Sequence, residues 1–269
     1  MVRGLRKRKD APTLKSAAEI EKMRRAGRLV RQVLVRLESL ARAGTTTAEL
    51  NAVAEQMIAE AGAEPLFKGQ RHAQAKAPFP AALCTSVNEE VVHGIPGDRR
   101  LGEGDIVSVD CGVRLDGFCG DAACTFAIGS VSDRVRRLLA VTEEALELAI
   151  REVRPNRWWG EVAAKIQELV EGAGFSVVRE FVGHGIGRSM HEEPKVPNYV
   201  DRQQRREDFL LKPGMTIAIE PMVTMGAPDV RYADASGWPV VTKDGLWAAH
   251  FEHTVAVTPG GVDVLTDGR

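Results

Sequence analysis

No stretch of this sequence is apolar over the length that a membrane-crossing helix needs. The first ten residues, MVRGLRKRKD, are basic but lack the apolar core of a secretion signal. An excess of one charge is missing too. The chain has 36 lysines and arginines against 37 aspartates and glutamates, and the net charge of -1 gives no global drive toward DNA or a membrane surface. Cysteine is sparse, and no two of Cys84, Cys111, Cys119 and Cys124 are spaced as CxxC, which excludes a zinc ribbon or a thioredoxin-type redox pair. Small buried thiols in a reducing compartment are expected, and hence the cytoplasm. What is present, 44% apolar and 27% charged residues over 269 positions, suits a folded chain of one large domain or two small ones. The expected organisation is a basic, disordered leader over 1–13 and one folded domain over 14–269, with weak contact of the leader with an anionic surface such as RNA as the lesser reading.

The stretch Ile106 to Phe126 organises the rest. Two alternating apolar runs flank Leu115-Asp116-Gly117, a turn signal, and predict a β-hairpin. Asp110 and Asp121 lie nearly equidistant from the turn, so both carboxylates are expected side by side on one face. At about 4 Å and an effective dielectric near 20, two such charges repel by roughly 4 kcal/mol. Either a cation sits between them or one holds a proton. The plain alternative is a pair of solvated hairpin aspartates that never meet, and the hairpin by itself leaves both readings open.

Around it, the spacing predicts helices over 18–43, capped by Ser16 with Glu19, and from Thr47 to Gly62. Residues 64–80 read as an irregular loop, 84–87 as a strand, and 93–97 as a turn that projects His93. Further helices are expected over 133–153 and 158–173, with a strand over 175–181. Helix, turn, helix, Ala-Gly stop and strand thus occur twice, and the endings Met57-Ile-Ala-Glu-Ala-Gly62 and Leu169-Val-Glu-Gly-Ala-Gly174 are alike, which points to an internal duplication. Glycines on both sides of His184 leave it open to a ligand, Met190-His191-Glu192-Glu193-Pro194 follows, and 198–212 reads as an exposed polar loop. Glu220 lies in a strand over 215–222, on the face opposite Ile217 and Ile219. Glu252 lies inside an apolar strand over 248–257, where a carboxylate is costly unless paired or metal-bound. His250 and His253 flank it and are expected to face the other way, as structural residues.

Asp110, Asp121, Glu220 and Glu252 with His184 form an oxygen-dominated donor set whose four negative charges match two divalent cations. No thiolate takes part, so a closed structural zinc site is not expected, and Mn, Fe(II), Co or Zn all suit the ligands. Taken in order, Ser86-Val-Asn-Glu-Glu-Val-Val-His-Gly-Ile-Pro96, Val109-Asp-Cys-Gly112, Gly120-Asp121, Gly183-His-Gly-Ile-Gly187, His191-Glu-Glu-Pro194, Ile219-Glu-Pro-Met222 and Phe251-Glu-His-Thr254 resemble the type I methionine aminopeptidases, the short bacterial form of the pita-bread metallopeptidases. The resemblance runs from about Leu14 to Leu265.

It implies an α+β pita-bread fold, with pseudo-twofold duplicated helix-helix-sheet halves around a curved antiparallel sheet. It also implies a monomeric hydrolase that removes the N-terminal methionine from nascent proteins, at the ribosome, preferably when the second residue is small. Two divalent ions activate a hydroxide that attacks the first peptide bond. Asp110 is implied to bind one ion through both oxygens, Asp121 and Glu252 to bridge, and His184 and Glu220 to complete the second site. Glu220 also moves the proton, His191 contacts the scissile carbonyl and His93 the next amide. The methionine pocket is implied to include Phe79, Cys84, Met190 and Trp238; the plain reading of each is core packing, and it weighs nearly as much for Cys84 and Met190. The loop Gln70 to Pro78, with His72 and Lys76, departs from the family by being longer and basic. Two alternatives stand beside this reading. One is an Xaa-Pro aminopeptidase or prolidase-like enzyme, a group that usually carries a large extra N-terminal domain. The other is a non-catalytic pita-bread protein that binds peptides or ribosomes.

Overall fold

A computed structural model describes residues 11–269, and the leader expected at the basic N-terminus lies, over residues 1–10, outside the described residues. Four helices form: α1 (Ala17–Leu40), α2 (Thr47–Glu60), α3 (Asp133–Glu152) and α4 (Trp159–Gly172). The first half of the chain supplies strands β1 (Glu64–Pro65), β2 (Leu83–Val87), β3 (Glu90–Val92), β4 (Ile106–Leu115) and β5 (Phe118–Ala127). The second supplies β6 (Ser176–Val177), β7 (Gly183–Gly185), β8 (Glu192–Val196), β9 (Thr216–Ile219), β10 (Met222–Thr224), β11 (Val230–Tyr232), β12 (Val240–Thr242), β13 (Ala248–His250), β14 (Glu252–Thr258) and β15 (Gly261–Val264).

The helix starts follow from their caps. Ser16 and Thr46 each accept the third helical N–H, and Glu19 and Glu49 reach back to the cap amides, so α1 and α2 both open on a full capping box. The expected run of α1 to 43 is too long. The backbone turns extended at Ala41, and Gly44 at φ +91° makes the bend that follows.

One sheet carries the architecture. Its order is β1-β4-β5-β14-β9-β7-β8, with β2 also on β4 and β15 also on β14, and every pairing is antiparallel. The first half of the chain fills one side of the β5–β14 seam and the second half the other, as the duplicated arrangement predicts. Alternation then sorts the side chains. Val107, Val109, Cys111 and Val113 of β4 and Ala122 of β5 pack with the apolar faces of α1 and α2, while Ile217 and Ile219 of β9 and Val255 and Val257 of β14 pack with α3 and α4. Asp110, Asp121 and Glu252 therefore emerge on the face turned away from all four helices.

Backbone contact fixes α1 on β5. A Cβ at Gly120 would lie 2.7 Å from the Gly27 nitrogen, and one at Gly27 would lie 2.0 Å from the Leu265 carbonyl oxygen. Glycine at both positions lets helix, hairpin and C-terminal segment touch directly behind Asp121.

Three expected segments, two strands and a loop, are corrected. Only Ser176–Val177 of 175–181 pairs. The run 248–257 breaks at Phe251, because Ala248–His250 pairs with β10 in a separate three-stranded sheet while Glu252–Thr258 joins β5 and β9. The segment 198–212 is not simply an exposed loop, since Asn198, Tyr199 and Leu211 are buried.

Candidate metal centre

The two hairpin aspartates share a face but are not opposite one another. Asp110 pairs with Ala123 and Asp121 with Gly112, a diagonal relation across β4 and β5. Next to them, Thr254 clamps the β5–β14 seam: its hydroxyl donates to the Asp121 carbonyl at 2.8 Å and accepts the Asp121 N–H at 3.1 Å. Glu252, two residues before Thr254, is thereby held against Ala123, in line with both aspartates. His184 comes from β7, paired with Ala218 of β9, and Glu220 follows β9 directly.

These groups converge. One donor atom each from Asp121, His184 and Glu252 lies within 4.8 Å of the others, and Asp110 and Glu220 line the same cavity of about 360 Å³. The His184 Nδ1 sits 2.9 Å from the Gly185 carbonyl. A carbonyl can only accept, so Nδ1 carries the proton and Nε2 is left bare, 3.6 Å from Glu220. Asp110 Oδ1, Asp121 Oδ1 and Glu252 Oε1 are buried with no hydrogen-bond partner in the protein. Buried carboxylate oxygens without partners are costly, and here they face one another across a polar cavity.

The electrostatics carry the same message. Burial first, and then the neighbouring carboxylates, push Asp110 and Glu252 well above the usual carboxylate range. Burial raises Asp121 to about 8, with Glu220 adding to it, and raises Glu220 itself to about 8. The cavity thus favours a net positive guest, and the oxygen-rich donor set with one imidazole fits divalent cations. Burial also lowers His184 to about 3, helped by His191, and a neutral imidazole is the form that ligates.

The other expected residues lie along the same cavity. His93 sits at φ +60°, a strained backbone for a non-glycine residue, with its ring edge-on to Phe181 at 5.4 Å. The His191 ring stands perpendicular to that of His184 at 4.5 Å. Phe79, Cys84, Met190 and Trp238 line it too, with Phe79 and Trp238 edge to face at 5.0 Å. The long loop joins them: His72 packs edge-on against Trp238 at 4.4 Å and stacks on Tyr232, and the Trp238 Nε1 donates to the Ala77 carbonyl at 2.9 Å.

Two residues of the centre are not among those expected. His250 was read as facing away from Glu252, but it lies two residues from it, so alternation puts it on the same side. Its buried Nε2 is 3.6 Å from the Glu220 carboxylate, and Thr125 fixes its backbone through both N–H and carbonyl. His253, one residue from Glu252, does face away and meets Thr266. Asn198 donates to the Glu220 carbonyl at 3.0 Å from the segment read as exposed. Nothing local to Asn198 signals that contact.

Residues 21–259 match the sequence pattern of metallopeptidase family M24. The chain belongs to that family. Within M24 it is similar to the methionine aminopeptidase of Clostridium perfringens, 47% identical over 94% of this chain and 98% of the relative, and to methionine aminopeptidase 1 of Bacillus subtilis, 45% identical with the same coverage. The crystal structure of the Thermotoga maritima methionine aminopeptidase superposes with a TM-score of 0.89 at 41% identity, covering 95% of this chain and 99% of that one. The prolidase of Pyrococcus furiosus shares the fold alone, with a TM-score of 0.72 at 23% identity, and the chain spans 66% of its length. The M24 chain is thus an α+β protein of the pita-bread kind, of type I methionine aminopeptidase character, with the curved antiparallel sheet and paired helices that the sequence predicts.

Proposed function

We propose that this chain is a metal-dependent aminopeptidase that removes the N-terminal methionine of nascent proteins, preferably when the next residue is small. The observation that carries the reading is the meeting of Asp121, His184 and Glu252 within 4.8 Å, beside Asp110 and Glu220, in a cavity that Phe79, Met190 and Trp238 also line. The M24 relatives similar over nearly the whole chain are methionine aminopeptidases, which supports the same substrate here.

We assign Asp110, Asp121, His184, Glu220 and Glu252 as the residues that would together hold a pair of divalent cations. Four carboxylate charges then balance two divalent ions, with Mn, Fe(II), Co and Zn as the candidates. Bound divalent cations supply Lewis acidity and lower the pKa of a water toward neutrality. Glu220 is the residue that would take a proton from the attacking water on a carboxylate oxygen and return it to the departing amine. Its neighbour His250 is neutral near pH 7, because burial lowers it to about 4, and so does not compete for the proton.

Burial also lowers His93 to about 4 and depresses His191, so both act as neutral imidazoles. One ring nitrogen of each then donates and the other accepts. His191 donates to the scissile carbonyl oxygen as charge builds there, and His93 accepts the amide N–H of the following residue. Phe79, Cys84, Met190 and Trp238 receive the methionine side chain, whose flexible thioether suits an aromatic wall. We place this work in the cytoplasm, on chains at the ribosome, by a monomer that binds neither DNA nor membrane. Among the described residues no helix is long and apolar enough to cross a membrane, and all four cysteines are free.

The test is initial rate on Met-Ala-Ser and on an Ala-Pro peptide, after chelation and return of each metal singly. Turnover of Met-Ala-Ser that vanishes on chelation and returns with metal is expected. Preference for Ala-Pro would point to a prolidase, and no metal dependence would sink the proposal.

A further inference from the structure

We propose that Lys15 is a positioning residue for this reaction, acting through Glu192 on the loop that carries Met190 and His191, an inference that rests on the aminopeptidase reading above. Lysines are almost never fully buried unless paired, yet Lys15 is only 7% exposed. Its Nζ lies 2.5 Å from Glu192 Oε2 and donates to the Thr13 carbonyl at 3.0 Å, and its own N–H donates to Gly214 at 2.7 Å. The segment before α1 is therefore anchored at both ends of this side chain, and the ammonium is delivered from a part of the chain 177 residues away.

The other oxygen of Glu192 accepts the N–H groups of Arg188 at 2.9 Å and Ser189 at 3.2 Å. The carboxylate thus closes a ring over residues 188–192, and the two residues inside that ring are Met190, which lines the cavity, and His191, against His184. Gly187 lets the ring lie directly on the ion pair, since a Cβ there would come within 2.4 Å of Lys15 Cε and 2.6 Å of Glu192 Oε1. With the ammonium gone, Glu192 becomes a poorly solvated charge held by two amides, and turning it outward to water opens the ring. A shift of about 1 Å in a group that must meet a reacting carbonyl is enough to cost about 100-fold in rate.

The decisive experiment is a double-mutant cycle with His191. Lys15→Met is expected to lower kcat/KM for Met-Ala-Ser about 10- to 100-fold in the otherwise native enzyme. In a His191→Ala background the same change should move it by no more than about twofold. Lys15→Arg should restore most of the loss. Amide hydrogen exchange supplies the readout free of turnover: Arg188 and Ser189 should lose protection in Lys15→Met while β5 and β9 keep theirs. Glu192→Gln, which keeps shape and an accepting oxygen, carries the same two measurements should Lys15→Met not fold. An equal loss in both backgrounds, or unchanged exchange at Arg188 and Ser189, overturns the proposal. If the unmodified protein turns over no Met-Ala-Ser with any metal, the aminopeptidase reading fails, and the exchange result still decides whether Lys15 holds the loop.

Discussion

Asp121 and Glu252 are the residues on which the centre turns, and their surroundings make two outcomes predictable. Each carries a buried oxygen without a partner. Asp121→Ala or Glu252→Ala should cut metal-dependent turnover by more than about 100-fold, the upper end of what losing even a partner one layer outside a metal costs. Assay at saturating metal checks this, and near-normal rates in either variant would refute its role as a ligand. The second outcome concerns pH in chelator. The folded, cation-free chain keeps protons on Asp121 and Glu220 up to about pH 8, while an unfolded chain releases them near 4. These raised values make stability fall as pH rises. The buried histidines 93, 184 and 250 act oppositely, since their folded values of about 3 to 4 lie below the ordinary 6.5 and raise stability as pH climbs to that point. Between about 6.5 and 8 only the carboxylates still titrate between the two states. Melting temperature in chelator should therefore drop across that interval, and excess divalent metal should abolish the drop. The four proposed carboxylate ligands stood out in the sequence because acidic side chains among apolar residues contradict their own surroundings, and His184 stood out through the glycines on either side of it. His250 was equally legible by parity, whereas Asn198 was not, because its role depends on a contact between segments distant in sequence.

At the scale of elements, the loop over 70–78 forms one wall with the Trp238 segment. Trp238 donates to Ala77, the Lys76 N–H donates to Ser236, and a Cβ at Gly237 would meet the Gln74 carbonyl at 2.2 Å. Excising residues 72–77 and rejoining the chain should release Trp238 and raise KM for methionyl peptides about 10-fold, with kcat little changed, since the lost contacts hold substrate and transition state alike. Steady-state kinetics on a Met-Ala-Ser series tests it, and a fall in kcat alone would contradict it. The capped helices were readable to within a few residues because Ser16 with Glu19 and Thr46 with Glu49 are local devices. The break at Phe251 was not, since AAHFEHTVAV holds no glycine, proline or other turn residue and only its partners, β10 on one side and β5 with β9 on the other, divide it.

Across the whole molecule, two helix-backed halves meet at the β5–β14 seam, and the site straddles it. The duplication could be read from the repeated helix endings, but the sheet order could not, because nothing in either half names its partner strand. The seam relies on α1 lying directly against β5 at Gly120. Gly120→Ala should destabilise the fold by about 3 kcal/mol or more, because the intruding methyl meets helix backbone rather than a movable side chain. Denaturant unfolding measures this, and a loss below about 1 kcal/mol would show that α1 can retreat.

The division of the donor set has a consequence for how such a catalyst comes into being. Asp110 and Asp121 lie on one hairpin, but Glu252 is supplied by β14, which follows in the chain only after all four helices and joins the two halves of the sheet. A fragment cut before Glu252 would lack one proposed ligand together with the strand that closes the seam, so it cannot be a weaker version of the enzyme.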